Sequence, residues 1–261
     1  LHLGQTFLGY ANELEHKLKV RYIGDGSVGS ALFPIVRELR MHSPTTLISA
    51  SFHANCIALL ASIFARTTTQ FVIADHPSVD SALQEFSFIK RILWRILIFI
   101  LYPIADKHIA VSKGVAKAMS KYSGVDLSQI TVIPNPVITD EIFAQGSIPV
   151  CHPFFDLNEP VLLYVGRLSY EKDIPNLIHA FNKVQNQIPS RLLVVGDGPD
   201  RKKLEELAHQ EHIDDRVSFL GHQNNPYPYF AQSDLFVLSS TREGLPTVLI
   251  EALAFGIKVV S

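Results

Sequence analysis

The second half of the chain holds the pattern that most restricts its fold. Five short apolar runs recur there: Val161–Val165, Arg191–Val195, Val217–Leu220, Leu235–Leu238 and Ile257–Val260. Runs that are apolar nearly throughout, rather than alternating, suit strands of a parallel sheet covered on both faces. Segments of helical period lie between them. Ile174, Leu177, Ile178, Phe181 and Val184 form one helical stripe behind a candidate N-cap, Asp173. Leu204, Leu207 and Ala208 repeat the pattern after Gly198-Pro199. Alternating strands and helices predict an open, doubly wound α/β layer.

The first half follows the same plan more loosely. Leu47–Ala50, Gln70–Ala74, His108–Val111 and Ile130–Ile133 are strand candidates, with helices over Asn55–Ala65 and Lys113–Tyr122. The stretch from Pro134 to Pro160 is rich in turn formers and reads as a connection. The expected organisation is therefore two α/β domains, 1–150 (with the linker) and 151–261. The chain starts at Leu1 and stops at Ser261 directly after an apolar run, so the expectation is a fragment trimmed at both ends. The first 45 or so residues are uninformative.

Composition narrows the class. The chain is 47% hydrophobic and 18% charged with a formal net charge of −2, which gives no support for bulk nucleic-acid binding. Two isolated cysteines, Cys56 and Cys151, form neither a CxxC pair nor a disulfide framework and point to a reducing, cytoplasmic setting. Neither end reads as a signal peptide.

The segment Ile89–Ala105 predicts an unusually apolar helix preceded by Lys90-Arg91. It is too short, and carries Arg95 too centrally, to span a bilayer. One reading is an interfacial helix lying on a membrane; the other is a buried or interdomain helix.

Candidate site residues gather at strand ends. Gly166-Arg167-Leu168 closes the first run of the second half, with Glu171-Lys172 following. Gly166 would let the backbone approach a ligand, and Arg167 with Lys172 could neutralise a diphosphate. A solvated charged loop is the plainer explanation of those two cations. Gly196-Asp197-Gly198-Pro199 turns from strand to helix but lacks the third glycine of a dinucleotide fingerprint, so a tight turn explains it equally. Gly221-His222 closes the next strand. Last comes Glu243-Gly244-Leu245-Pro246, a turn opening a helix that carries Glu251, with Pro246 suited to the first helical turn. Backbone N–H groups at such a helix start favour an anion, and two carboxylates beside them suit a ligand combining phosphate and hydroxyls. A helix N-terminus with favourable acidic residues is the alternative.

These motifs, in this order and spacing, resemble the nucleotide-binding domain of the retaining glycosyltransferases of family 4 (group 1). The matching features are Val165-Gly166-Arg167-Leu168 with Lys172, Gly196-Asp197-Gly198-Pro199, Phe219-Leu220-Gly221, and Glu243 with Glu251. Asp75-His76, the run Ala105 to Gly114, and Val132-Ile133-Pro134-Asn135-Pro136 resemble that family's acceptor domain. The resemblance implies a GT-B fold, two Rossmann-like doubly wound parallel-sheet domains facing a cleft. It implies sugar transfer with retention from a UDP, GDP or ADP sugar to a glycan or lipid-linked acceptor. Glu243 would contact sugar hydroxyls with Gly244 and Leu245 nearby, and Glu251 would hold the ribose. Gly166, Gly196, Gly198 and Gly221 would line the donor. Arg167 and Lys172 would stabilise the departing diphosphate, and His76, with His53 as a weaker candidate, would serve the acceptor side. No DxD pair is placed to hold a divalent metal, so neither a metal nor another cofactor is expected; front-face attack is the expected route, with a covalent intermediate left open by these residues. The family's glycine-rich acceptor loop is not found near Leu1. A nucleotide-sugar epimerase of the same fold, a silent binding protein and, more distantly, an NAD(P)-dependent oxidoreductase remain open on these residues. Peripheral contact with the inner membrane face through Ile89–Ala105 completes the expectation.

Overall fold

In the second half the side chains of each strand point alternately to two covered faces, which is why the runs are continuously apolar. Leu162 and Tyr164 of β5 (Val161–Val165) join Leu192 and Val194 of β6 (Arg191–Val195) in one buried cluster. That cluster includes Ile174, Leu177, Ile178 and Phe181 of the helix Ile174–Gln185, and Leu204 and Ala208 of the helix Arg201–Gln210. Val161, Leu163, Leu193 and Val195 point the other way, onto Tyr229, Phe230, Phe236, Ala252 and Ile257. The computed structural model describes residues 29–84 and 86–261.

The remaining strands of this half are β7 (Val217–Gly221), β8 (Leu235–Val237) and β9 (Lys258–Val260). All pairings are parallel and the order is β7-β6-β5-β8-β9. The chain therefore leaves β5 in one direction through β6 and β7, then returns to the other side of β5 through β8 and β9. This is the doubly wound layer expected from the sequence.

The first half builds a four-stranded parallel sheet from β1 (Thr46–Ala50), β2 (Gln70–Asp75), β3 (Lys107–Ala110) and β4 (Ile130–Val132), in that order. Its helices are α1 (Leu32–His42), α2 (Phe52–Ala65), α3 (Val79–Leu83), α4 (Phe88–Leu101) and α5 (Lys113–Ser123). Ser112 caps α5 by accepting the Val115 N–H at 3.2 Å, the bond its residue type favours. Helix α1 falls within the stretch that carried no sequence signal.

The chain divides into two compact units between Pro134 and Asn135. The division falls earlier than the expected boundary at 150 because the turn-rich connection holds a helix, α6 (Asp140–Gly146). Its Phe143 ring lies 5.6 Å from that of Phe255, and a Cβ on Gly146 would overlap the same ring. The Gln145 carbonyl accepts the Asn225 side-chain amide at 3.0 Å. Hence this segment belongs with the second unit. There the helices are α7 (Ile174–Gln185), α8 (Arg201–Gln210), α9 (Tyr227–Gln232) and α10 (Thr247–Ala254). Asp173 stands at the N-cap of α7 as expected, but in a left-handed conformation with no side-chain capping bond.

Candidate functional site

In an open α/β sheet the loops at the carboxyl ends of two adjacent strands diverge where the strand order reverses, and ligands bind there. Here that point lies between β5 and β8. The loop after β5 carries Gly166, Arg167 and Lys172; the loop after β8 carries Glu243, Gly244 and Leu245. The topology thus gathers the two motifs that the sequence separates by about seventy positions.

Specific bonds hold the loops together. The Lys172 ammonium lies 2.6 Å from Glu243 Oε1, both side chains being about one-fifth exposed. The Ser239 hydroxyl donates to the Lys172 carbonyl at 2.7 Å, and the Thr241 N–H to the Glu171 carbonyl at 3.0 Å. Ser169 donates to Glu171 Oε1 at 2.6 Å. Burial works against the Glu171 carboxylate, but Ser169, its own backbone, Lys172 and Arg167 together hold it below the usual range. Tyr164, fully buried beneath the loop, donates to the Arg167 carbonyl at 3.2 Å. Burial and the neighbouring Glu243 and Glu171 push its phenol well up. Ser169, Glu171, Ser239, Thr241 and Tyr164 were not singled out from the sequence. Short polar side chains in loops give no periodic signal, and their partners lie seventy residues away.

Arg167 is exposed at the loop surface. Gly166 donates its N–H to the Val195 carbonyl at 3.0 Å, and Leu168 to the Asp197 carbonyl at 3.0 Å. The loop after β6 is therefore zipped onto the loop after β5. Gly196 has φ +134°, and a Cβ there would overlap the Gly166 carbonyl; one at Gly198 would overlap Leu168. Both glycines thus have a structural reason within the fold, in loop-to-loop packing. Gly196 donates to the Gly221 carbonyl at 2.8 Å, which adds the end of β7 to the series.

Pro246 stands one position before α10, at its N-cap, and its carbonyl accepts the Leu249 N–H at 3.0 Å. The expected first-turn position is thus shifted by one residue, within the usual uncertainty of helix boundaries. Gly244 and Leu245 are half-buried just ahead of the helix. Glu251 is half-buried in its second turn, and burial raises its carboxyl above the ordinary value. Among the described residues no group of three or more His, Cys, Asp and Glu side chains is placed to hold a metal ion.

His76 belongs to the first unit, exposed one residue beyond β2. Its neighbour Asp75 is the residue that sequence reading undervalued. Its carboxylate is 1% exposed and accepts from Asn55 Nδ2 at 2.9 Å and the Tyr102 hydroxyl at 3.0 Å, while Ser49 donates to Asn55 Oδ1 at 2.7 Å. Burial pushes the carboxyl up to about 7 against those two donors. Burial and the same charge raise the Cys56 thiol to about 12. His53 opens α2 in a ring cluster, 4.7 Å from Trp94 and 5.4 Å from Phe86, and burial lowers its pKa.

Asp75 has a pH consequence. Between about pH 4 and 7 the folded chain keeps a proton that the unfolded chain releases, so the contribution of Asp75 to stability falls as pH rises through that window. It is fully present below about pH 4 and lost above about pH 7, a change of about 4 kcal/mol for a shift of roughly three units. Asn at this position keeps an Oδ1 for both donors and does not titrate. The stability difference between the parent and Asp75→Asn, from urea unfolding at pH 4, 6 and 8, is expected to move in favour of Asp75→Asn as pH rises. A difference constant with pH would refute this assignment.

Comparison with known proteins adds a family to each unit. The model described as glycosyl transferases group 1 matches residues 152–261, and that of glycosyltransferase family 4 matches residues 20–141. An uncharacterized glycosyltransferase of Methanocaldococcus jannaschii is 27% identical over 237 residues, 88% of this chain and 58% of that protein. The N-acetylgalactosamine-N,N'-diacetylbacillosaminyl-diphospho-undecaprenol 4-alpha-N-acetylgalactosaminyltransferase of Campylobacter jejuni is 27% identical over 206 residues, 79% of this chain and 54% of that one. The chain thus spans about half the length of the curated relatives it matches. Among solved structures, Anabaena HepE in complex with UDP and glucose superposes with a TM-score of 0.73 at 21% identity, covering 97% of this chain and 70% of that one. At that identity the likeness speaks for the GT-B fold alone. Each α/β unit thus carries its own family match: residues 152–261 belong with the glycosyl transferases group 1, and residues 20–141 with glycosyltransferase family 4.

Proposed function

We propose that the protein is a retaining, metal-independent glycosyltransferase that moves a sugar from a nucleotide-diphosphate donor to a hydroxyl acceptor in polysaccharide, lipopolysaccharide or glycolipid assembly. The observation that carries this reading is the Lys172–Glu243 pair at 2.6 Å, tying the loops of β5 and β8 together at the reversal of strand order. An ammonium has three donors, and one bond to Glu243 leaves two for phosphate oxygens. Arg167, exposed on the same loop, supplies a second cation with a forked set of donors. Glu243 serves the sugar hydroxyls and Glu251 the ribose hydroxyls. The acceptor side belongs to the first unit, with His76 at the end of β2.

In the reaction the bond from the sugar anomeric carbon to the diphosphate oxygen breaks, and its electron pair leaves with the diphosphate. A bond from the acceptor hydroxyl oxygen to that carbon forms on the same face, and the hydroxyl proton passes to the departing phosphate. Arg167 and Lys172 stabilise the charge that grows on the leaving group. Two positioned cations fill the role a divalent ion has elsewhere, which supports the metal-independent reading.

Calorimetric titration with UDP, GDP and ADP tests the donor site. One nucleotide is expected to bind saturably, with affinity roughly 10- to 100-fold lower in Arg167→Ala and in Glu251→Ala, the range for a lost charge-assisted hydrogen bond. Absence of binding by all three would refute the reading. In a transfer assay the product is expected to keep the donor's anomeric configuration, and a chelator to leave the rate unchanged. Turnover of the nucleotide sugar without any acceptor would instead identify the epimerase.

A further inference from the structure

Among the described residues, helix α4 is covered along one side only. Its inner side seats Ile98 and Leu101, both fully buried, and turns Trp94 inward to meet Phe52 edge-on at 5.3 Å. The opposite side carries Phe88, Ile89, Leu93, Ile96, Phe99 and Ile100, each between 50% and 78% exposed. At 3.6 residues per turn these positions, with Ile92, fall within an arc of roughly 140° that contains no polar residue. A surface helix ordinarily shows the reverse arrangement, polar outward and apolar inward. An exposed apolar face of this extent marks a surface that meets something.

Charge identifies what it meets. Arg95 borders one edge of the arc, and exposed Lys90 follows the other edge beyond Leu97. Arg95 is steadied over the Tyr122 ring at 5.2 Å and donates to its hydroxyl at 3.3 Å. No Asp or Glu occurs between Phe86 and Ala105. In a two-fold dimer the same face would meet itself, bringing these cations against their own copies with no carboxylate on the helix to pair them. An anionic lipid surface supplies both missing complements, an apolar boundary and fixed negative charge. The helix is too short to cross a bilayer, and no helix among the described residues is long and apolar enough to do so.

We propose that the outward face of α4 docks on an anionic membrane surface. Its apolar side chains enter the boundary between headgroups and acyl chains, and Lys90 and Arg95 lie against lipid phosphates. This docking stands apart from the transfer reaction and is tested separately.

Co-sedimentation of the 261-residue chain with vesicles decides it. The chain is expected to bind phosphatidylcholine vesicles containing one-third phosphatidylglycerol more tightly than phosphatidylcholine alone, and less so as salt rises. Ile89→Glu/Ile96→Glu is expected to lower partitioning roughly tenfold or more. Lys90→Gln should lower it roughly fivefold, on the anionic vesicles only. Ile188→Glu, at a 59% exposed isoleucine of the second unit, is the control and should bind as the parent does. All substituted side chains are solvent-facing, and unchanged thermal melting verifies that the variants fold. Absence of binding to anionic vesicles, or equal binding by Ile89→Glu/Ile96→Glu, overturns the proposal. So does a solution dimer that those two substitutions dissociate, which would assign the face to a second copy.

Discussion

Lys172→Ala is expected to lower kcat/KM for sugar transfer by roughly 10²- to 10³-fold, the usual loss when one group that stabilises a developing charge is removed. The same substitution leaves the Glu243 carboxylate without its 2.6 Å partner in a largely enclosed position. Stability should therefore fall as well, and the two effects need separating. In Lys172→Ala/Glu243→Gln the unpaired charge is gone, so stability is expected to recover while transfer does not. Lys203→Ala, at an 80% exposed side chain, is the neutral control. Recovery of both stability and transfer in the double variant would mean that the pair is only a strut between loops. The catalytic role of Lys172 would then be wrong.

Gly196→Ala is expected to damage the second unit most. The residue sits at φ +134°, which an L side chain rarely adopts, and the new Cβ would overlap the Gly166 carbonyl. Backbone strain and overpacking each cost about 1–3 kcal/mol. Their sum corresponds to a fall of about 10 °C or more in the melting transition of a unit this size. Relief requires the loop carrying Gly166 and Arg167 to move, so nucleotide affinity should drop alongside stability. Gly114→Ala provides the contrast. It lies in α5, and a Cβ there would have only ordinary contact with the Ser112 hydroxyl at 3.7 Å. That substitution should be neutral or stabilising by up to about 1 kcal/mol. Melting the two variants side by side checks the assignment; a Gly196→Ala chain that melts with the parent would discredit it.

Helix α4 shows how a local reading can be right about an element and silent about its orientation. Its hydrophobicity and basic residues were plain, and two readings followed, a membrane-lying helix or a buried or interdomain one. Hydropathy does not tell which side of a helix meets the rest of the fold. Burial of Ile98 and Leu101, with the contact of Trp94 on Phe52, settles that and leaves the other face exposed. Helix α6 is the opposite case. Seven residues among turn formers give too short a period to recognise, and packing of Phe143 and Gly146 against Phe255 makes the helix.

The sequence by itself determined the alternation of strands and helices, the near-continuous burial of β5 and β6, and the glycines and charges at their carboxyl ends. Such features depend on side-chain periodicity and on backbone restrictions within a few residues, and both are local. Tertiary structure alone decided that β8 lies beside β5, and therefore that Lys172 meets Glu243. It also decided that Asp75 is enclosed by Asn55 and Tyr102. Those contacts join residues about 20 to 70 positions apart, and only the order of strands in each sheet brings them within bonding distance.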